Sequence, residues 1–321
     1  MMRGAGFWIG AGVAIGLAAL AAGNLKDEYF FFAAYPILMY VVLATAWNIL
    51  GGYAGYVNFG TAAFFGLGAY TAAALFHATG APLVLQILAA ATMSGLLGFG
   101  TGLVTLRLRG IFFSIATVAV IFIMETLFIN WRFTGGATGL QLLRPAPIAF
   151  ESYIKMLFVV MAVIAVVAVA IARYIENSWI GRGLRAIRDS EEAAEASGVP
   201  TLRLKTYACT ISGALMGAAG APMPMYLSFI EPASTFNLNY SIGALAGAII
   251  GGTAHWLGPV IGAVLLGTVQ QVVTVTVSSE LNVLVVGVLL VLFVVAAPEG
   301  IVGLARKLRL RLRSRSGAGN S

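Results

Sequence analysis

The chain has 321 residues, of which 60% are hydrophobic and only 10% are charged. An ordinary soluble domain carries about 25% charged residues, so this composition excludes a water-soluble globular protein. Its single cysteine, Cys209, excludes an intrachain disulfide.

Long stretches without a charged side chain predict membrane-spanning helices. The longest, 29–106, contains 78 residues without Asp, Glu, Lys or Arg. A transmembrane helix needs about 20 residues, so this stretch crosses a bilayer at least three times. Lipid offers the backbone no hydrogen-bond partner, which restricts spanning segments to helices or closed barrels. The hydrophobicity is continuous rather than alternating, and it therefore predicts an all-α polytopic membrane protein.

Charged residues, Pro and Gly divide the chain into about ten candidate spans. They are 7–23, 29–50, 60–78, 82–104, 111–130, 155–173, 205–229, 239–254, 258–277 and 281–297. The third and eighth are short and rich in glycine, so they either cross the membrane or re-enter it, and between eight and eleven spans are expected. The first is long for the apolar region of a signal peptide, which favours a helix. Pro222 and Pro224 should kink the seventh span, because each removes a helix hydrogen bond.

The distribution of Lys and Arg predicts the orientation. Fifteen of these residues lie on one side of the predicted spans and four on the other. The larger set comprises Arg3, Arg107, Arg109, Arg173, Arg182, Arg185, Arg188, Arg203, Lys205, Arg306, Lys307, Arg309, Arg311, Arg313 and Arg315, and the smaller set Lys26, Arg132, Arg144 and Lys155. Basic residues accumulate on the cytoplasmic side, so both termini are expected there. The net charge of +7 then reflects anionic lipid and not nucleic acid.

Residues 1–305 are predicted to form one transmembrane domain, and 306–321 a basic cytoplasmic tail. The tail is either a topogenic, lipid-facing segment or a binding patch for a partner. Two glycine-rich zones, 51–68 and 243–262, each lie near the middle of one half of the chain. This placement is typical of an internal two-fold repeat around a transport pathway, although glycine also serves simply for close helix packing.

Five polar residues inside the predicted spans are candidates for a solute pathway. They are Asn48, Asn58, Thr61, Tyr70 and Glu125. An ionisable group in a span should face the bundle interior or a wet cavity, where Glu125 can meet a substrate ammonium or a proton. Alternatively, Glu125 is hydrogen-bonded near a helix end, and the other four join helices together. His77 and His255 have no second ligand at metal spacing, so no metal site is expected.

The longest polar stretch, 176–205, is predicted to form two short helices at the membrane surface. Asp189 and Glu192 have the spacing of a capping box for the second helix. Gly198 and Pro200 should then end that helix.

The same stretch resembles the EAA loop of ABC importer permeases. Glu192, Ala193 and Ala194 are followed after three residues by Gly198, on the Arg-rich side of the spans. In that family the loop carries the coupling helix, which docks on the ATPase. The resemblance assigns coupling to Arg185, Arg188, Glu191, Glu192, Ala193, Ala194 and Gly198.

Further segments resemble the branched-chain amino acid permeases of the LivM type, in the family's order. They are WNILGGYAGYVNFGTAAFFGLGAYTAA from Trp47, LRGIFFSIATVA from Leu108, TGGATGL from Thr134 and GGTAHWLGPVIGA from Gly251. In the last of them, Ala254 and His255 stand where the family tends to have a Gly and a small or hydroxyl residue. This loop is therefore expected to differ in shape from the family's.

The resemblance implies an ABC type II importer-like permease at the bacterial inner membrane. Its implied partners are two ATPase subunits, a second, LivH-like permease and an external solute-binding protein, and its cargo a branched-chain amino acid or a related small polar solute. The chain has no G-x-x-x-x-G-K-[ST] phosphate loop, so it is not expected to be an enzyme, and ATP and Mg belong to the partner. Two alternatives are an ion-coupled secondary transporter that uses Glu125 and a membrane scaffold that moves nothing.

Overall fold

Helices form almost all of the structure, a computed structural model that describes residues 2–25, 27–105, 107–108, 110–142, 152–276, 281–297, 299–304 and 307. The α-helices are α1 (Met2–Asn24), α2 (Glu28–Ala54), α3 (Thr61–Thr79), α4 (Leu83–Thr105), α5 (Ile111–Asn130), α6 (Tyr153–Asn177), α7 (Trp179–Asp189), α8 (Glu191–Ala196), α9 (Thr201–Gly220), α10 (Met223–Leu227), α11 (Pro232–Thr235), α12 (Leu238–Gly251), α13 (Leu257–Thr276) and α14 (Leu281–Ala296). Two antiparallel strands, β1 (Leu140–Gln141) and β2 (Phe229–Ile230), pair Leu140 with Ile230. The predicted all-α class is confirmed.

Seven helices in the described part of the chain are long and apolar enough to cross a membrane, namely α1 to α6 and α13. Three further helices coincide with the remaining predicted spans. Of these, α9 carries Arg203 and Lys205 in its first turns, α12 has 14 residues and α14 has 16. Each of the ten predicted spans therefore contains a helix, which supports a multi-pass membrane protein.

The two ends of the bundle differ in charge. The end where α7 and α8 lie, called the loop end, carries Arg173, Arg182, Arg185, Arg188, Arg203 and Lys205. The end with β1 and β2, called the strand end, carries Arg132 and Lys155. Outside the described residues lie Lys26, Arg109, Arg144 and the predicted basic tail except for Lys307, whose Nζ is 2.6 Å from Glu299 Oε1.

The seventh predicted span is broken rather than kinked. Helix α9 ends at Gly220, and α10 begins at Met223 after Pro222. Prolines 222 and 224 each remove a backbone donor within one turn, so the helix stops there instead of bending.

A third proline, Pro36, remains inside α2 without ending it. Because Pro36 has no N–H, the carbonyl of Phe32 one turn earlier loses its helical partner. The Tyr226 hydroxyl donates to that carbonyl oxygen at 3.0 Å. The ring of Tyr226 stacks between Phe32 and Tyr35, at centroid distances of 4.9 and 4.3 Å. The end of α10 thus completes the hydrogen bonding of α2.

Glycines bring the backbones of α3, α4 and α9 into direct contact. A Cβ at Gly68 would lie 2.2 Å from the carbonyl oxygen of Gly217. One at Gly217 would lie 2.2 Å from Ser94 Oγ, and one at Gly98 would lie 2.7 Å from the Cys209 carbonyl oxygen. No side chain fits at these positions, so the glycines here serve close packing of helices. The internal two-fold repeat stays a prediction.

Replacing Gly68 with Val should destabilise the bundle by at least about 1–3 kcal/mol, because the new side chain must separate two backbones. The matched control is Gly100→Val on α4, where no atom outside the helix lies within 4 Å of a Cβ among the described residues. Thermal unfolding of both variants in detergent measures the difference. Equal melting temperatures would show that α3 and α9 are not in contact.

Candidate functional site

The short helices α7 and α8 begin at serine caps. The Ser178 Oγ accepts from the Gly181 N–H at 3.4 Å, and the Ser190 Oγ accepts from the Ala193 N–H at 3.3 Å. The predicted capping box on Asp189 is therefore wrong by one residue: Asp189 is the last residue of α7, and the hydroxyl of Ser190 reaches the free N–H of α8.

Helix α8 ends where Gly198 and Pro200 predicted it to end. Gly198 takes a left-handed conformation with φ of 81°, and α9 begins directly after Pro200. Helix α7 is amphipathic, with Leu184 and Ile187 buried against the bundle. The stretch thus forms two short helices that lie on the loop end, as predicted.

A buried ion pair attaches α8 to α9. The Lys205 Nζ lies 2.5 Å from Glu191 Oε1, and the two side chains are 3% and 14% exposed. The Tyr56 hydroxyl donates to Glu191 Oε2 and accepts from the Lys205 ammonium at 3.0 Å. The ammonium also lies over the Tyr56 ring, 4.6 Å from its centroid. These three residues tie the loop after α2, the start of α8 and the start of α9 together.

The two neighbouring glutamates of α8 therefore have different surroundings. Glu191 faces its own bundle, as does Ala194, which is buried. Glu192 and Ala193 are exposed on the opposite face of the helix. Of the residues assigned to coupling by resemblance, Glu192 and Ala193 are accessible at the surface, whereas Glu191 and Ala194 hold the helix against the bundle.

Two arginines of α7 bind backbone carbonyls at the loop end. The Arg188 guanidinium donates to the Gly52 carbonyl oxygen at 2.9 Å, and its side chain packs beside Gly55, which has φ of 77°. The Arg185 guanidinium donates to the Glu176 carbonyl oxygen at 3.1 Å. Both predicted arginines thus fasten α7 to the ends of α2 and α6.

Glu176, which the sequence did not single out, connects three elements. Its Oε2 accepts from the Trp256 N–H at 2.7 Å and from the Tyr53 hydroxyl at 3.3 Å. Its Oε1 lies 4.0 Å from His255 Nε2. The carboxylate therefore links the end of α6 to α2 and to the loop before α13. An acidic residue that directly follows the apolar stretch of α6 is the signal that marks this position.

His255 has a local role at the same place. Its Nδ1 accepts from the Leu257 N–H at 3.2 Å, so it caps the start of α13. The residue at which the sequence departs from the family pattern is thus part of the Glu176 contact, and no described residue completes a metal site around it.

Asn58 lies in the segment 55–60 between α2 and α3, which is not helical. Its Oδ1 accepts from the Gly60 N–H at 2.7 Å, and its carbonyl oxygen accepts from Trp47 Nε1 at 2.7 Å. The Thr117 hydroxyl accepts from the Phe59 N–H at 3.0 Å. Non-helical backbone is tolerated within a membrane protein where other groups satisfy it, which these side chains do.

The other pathway candidates are distributed over the bundle. Asn48, Thr61 and Tyr70 are buried, and the Thr61 and Tyr70 hydroxyls have no hydrogen-bond partner among the described residues. The Tyr70 ring stacks on Phe128 of α5 at 4.4 Å. Glu125, one turn earlier on α5, is half-buried and makes no hydrogen bond or ion pair within the described part of the chain.

The arrangement defines a class: a polytopic helical membrane protein with a rigidly attached surface helix at one end. Residues 29–294 match the family described as "Branched-chain amino acid transport system / permease component". The match covers most of the chain, which therefore belongs to this family.

Named relatives agree with that family. The chain is 27% identical to the high-affinity branched-chain amino acid transport system permease protein LivM of Salmonella typhimurium, over 86% of this chain and 70% of the relative. It is 26% identical to LivM of Escherichia coli, over 88% and 72%. It is 28% identical to a probable LivH permease of Methanocaldococcus jannaschii, over 50% and 52%. No solved structure matches the chain.

Lys205→Met should lower the free energy of unfolding by about 3 kcal/mol, because it leaves the Glu191 carboxylate poorly solvated without its cation. Adding Glu191→Gln to this variant should recover much of the loss. Arg203→Met is the control, since Arg203 is an exposed basic residue on the same helix. Detergent-solubilised variants can be compared by thermal unfolding, and equal losses at 203 and 205 would contradict the buried pair.

Glu176→Gln should loosen the loop before α13, since a neutral amide accepts hydrogen bonds about 1 kcal/mol more weakly than a carboxylate. Hydrogen exchange at the Trp256 amide should speed up roughly fivefold, as measured by mass spectrometry of the peptide that contains it. Asn177→Ala, which removes an exposed neighbouring side chain, should leave that exchange rate unchanged. Unaltered exchange in Glu176→Gln would remove Glu176 from this role.

Proposed function

We propose that this chain is the membrane-spanning permease subunit of an ATP-driven importer and that it moves a branched-chain amino acid, or a related small polar solute, into the cell. The observation that carries the proposal is α8, a surface helix with Glu192 and Ala193 exposed and Glu191 locked to the bundle. Membership in the permease family and the LivM relatives support the cargo class.

The contacts that attach α8 to the bundle would allow this helix to transmit force to the membrane-spanning helices. A push on the exposed face passes through Glu191 to Lys205 and Tyr56, and through Arg188 to the Gly52 carbonyl. These contacts lead directly into α9 and α2. Helix α9 in turn packs backbone to backbone on α3 and α4, so α8 cannot move without moving several helices. In the proposed importer, a separate ATPase subunit binds ATP and Mg and supplies the push.

A second permease subunit is proposed to cover α5. Phe122, Ile123 and Leu127 form an exposed apolar strip along this helix. Half of the present chain also aligns with LivH relatives, which are permeases of the same kind of system. A LivH-like partner would pair the open face of α5 with its own helices.

The strand end is proposed to receive the external solute-binding protein. Trp131 and Phe133 are exposed there, beside the Gly-rich turn that leads into β1. The pairing of β1 with β2 holds this turn against α10 and α11. A firm surface with exposed aromatic side chains suits docking of a separate protein.

The proposed location is the bacterial inner membrane with the loop end in the cytoplasm. The concentration of arginines at the loop end supports this orientation, because basic residues are retained on the cytoplasmic side. The ion-coupled alternative gains no support, since Glu125 meets no charged or hydrogen-bonding group among the described residues.

Glu192→Lys should reduce ATP-dependent uptake at least tenfold while the amount of protein in the membrane stays the same, because it reverses a charge on the face proposed to meet the ATPase. Uptake is measured in proteoliposomes that contain the ATPase subunits, the second permease and the solute-binding protein. Asn177→Lys is the control: it adds a positive charge at an exposed position of the loop end, two residues before α7.

Normal uptake in Glu192→Lys would falsify the role of α8. Uptake by this chain alone, driven by a proton or sodium gradient, would favour the ion-coupled alternative instead. If deletion of the chain left solute uptake intact, the scaffold alternative would stand.

A further inference from the structure

An apolar groove of about 630 Å³ runs along α1, beside the face on which α1 packs against α6. Its walls come from α1, α2, α6, α13 and Trp256, and apart from the indole N–H of Trp256 the lining side chains are apolar. Along α1 the groove extends from Gly6 to Ala21, which corresponds to about 22 Å at the helical rise. This is longer than one leaflet of the hydrocarbon core and shorter than its full thickness of about 30 Å.

Helix α1 packs on α6 but leaves open space on the side of the groove. No atom outside the helix lies within 4 Å of the place that a Cβ at Gly10 would take, among the described residues. At Gly68 and Gly217, in contrast, the neighbouring helix approaches within 2.2 Å. The small residues of α1 therefore leave space that no part of the described chain fills.

The chemistry of the walls selects the occupant. Water is excluded by the apolar walls, because an ordered water needs two or more polar partners. A flexible hydrocarbon chain matches the apolar walls and the elongated shape of the groove.

At the loop end of the groove, the positively charged side chain of Arg173 lies beside two aromatic rings. The Arg173 guanidinium lies 4.3 Å from the centroid of Phe7 and 5.5 Å from that of Trp256. Phe7 and Trp256 both line the groove and meet edge to face, 5.5 Å apart. A guanidinium has five N–H donors in a planar fork, a geometry that suits a phosphate. Trp side chains prefer the membrane interface, where lipid phosphates lie.

We propose that the groove is a binding site for one phospholipid, with an acyl chain between α1 and the bundle and the phosphate on Arg173. The acyl chain replaces a void in which the walls would lose their dispersion contacts. Bound lipid then adds a contact between α1 and α13 to the direct packing of α1 on α6. This site is independent of transport, since it depends on neither the solute nor the ATPase.

The test is lipid retention by the full chain in detergent, measured by native mass spectrometry. The probes are phosphatidylglycerol and a diacylglycerol with the same acyl chains but no phosphate. The wild type should retain one phosphatidylglycerol and at least fivefold less diacylglycerol, and Arg173→Gln should lower phosphatidylglycerol to the level of diacylglycerol. Arg182→Gln, which removes an exposed arginine at the same end, should retain the wild-type amount.

A second variant tests the acyl part. Gly10→Leu fills the groove without a clash at Cβ, so the protein should fold with a normal thermal transition while losing both lipids at least fivefold. Wild-type retention in Gly10→Leu would overturn the acyl site. Equal phosphatidylglycerol retention by Arg173→Gln and Arg182→Gln, or equal retention of the two probes by the wild type, would overturn the phosphate contact.

Discussion

A bilayer offers no hydrogen-bond partner to the peptide backbone, and the arrangement of this bundle follows from that constraint. Where a proline removes a donor inside α2, the Tyr226 hydroxyl reaches the carbonyl that is left. Where the chain is not helical between α2 and α3, the Trp47 indole and the Thr117 hydroxyl meet the backbone. Irregular segments persist only where a neighbouring helix completes them, which makes each break a contact between helices.

The bilayer also explains why glycines lie at the contacts between helices. Helices in lipid gain little from apolar burial against each other, so they associate through close approach. Gly68, Gly98 and Gly217 let α3, α4 and α9 meet backbone to backbone. The result is a stiff unit that begins at Lys205, the residue bonded to α8. Because α8 is attached to this unit, a movement of α8 would be transmitted to the packed helices α3, α4 and α9.

Helix α1 is the exception to this packing. Its glycines from Gly6 to Gly23 have no neighbour within 4 Å of a Cβ among the described residues, and an apolar groove runs beside its contact with α6. Its stability within the fold is therefore expected to depend on the lipid that fills the groove, whereas α3, α4 and α9 depend on one another. The protein thus joins a rigid centre to a peripheral helix through α6 and, in our proposal, through bound lipid.

The sequence alone determined the membrane class, the positions of the spans and the end of α8, because hydrophobic runs, charges, Gly and Pro act locally along the chain. It also grouped Glu191 with Glu192 and left Glu176 unnoticed. Only the tertiary structure separated the two glutamates and connected Glu176 to Trp256, since burial depends on which side a neighbouring helix occupies. It likewise moved the cap of α8 from Asp189 to Ser190, because capping depends on which side chain reaches the free N–H.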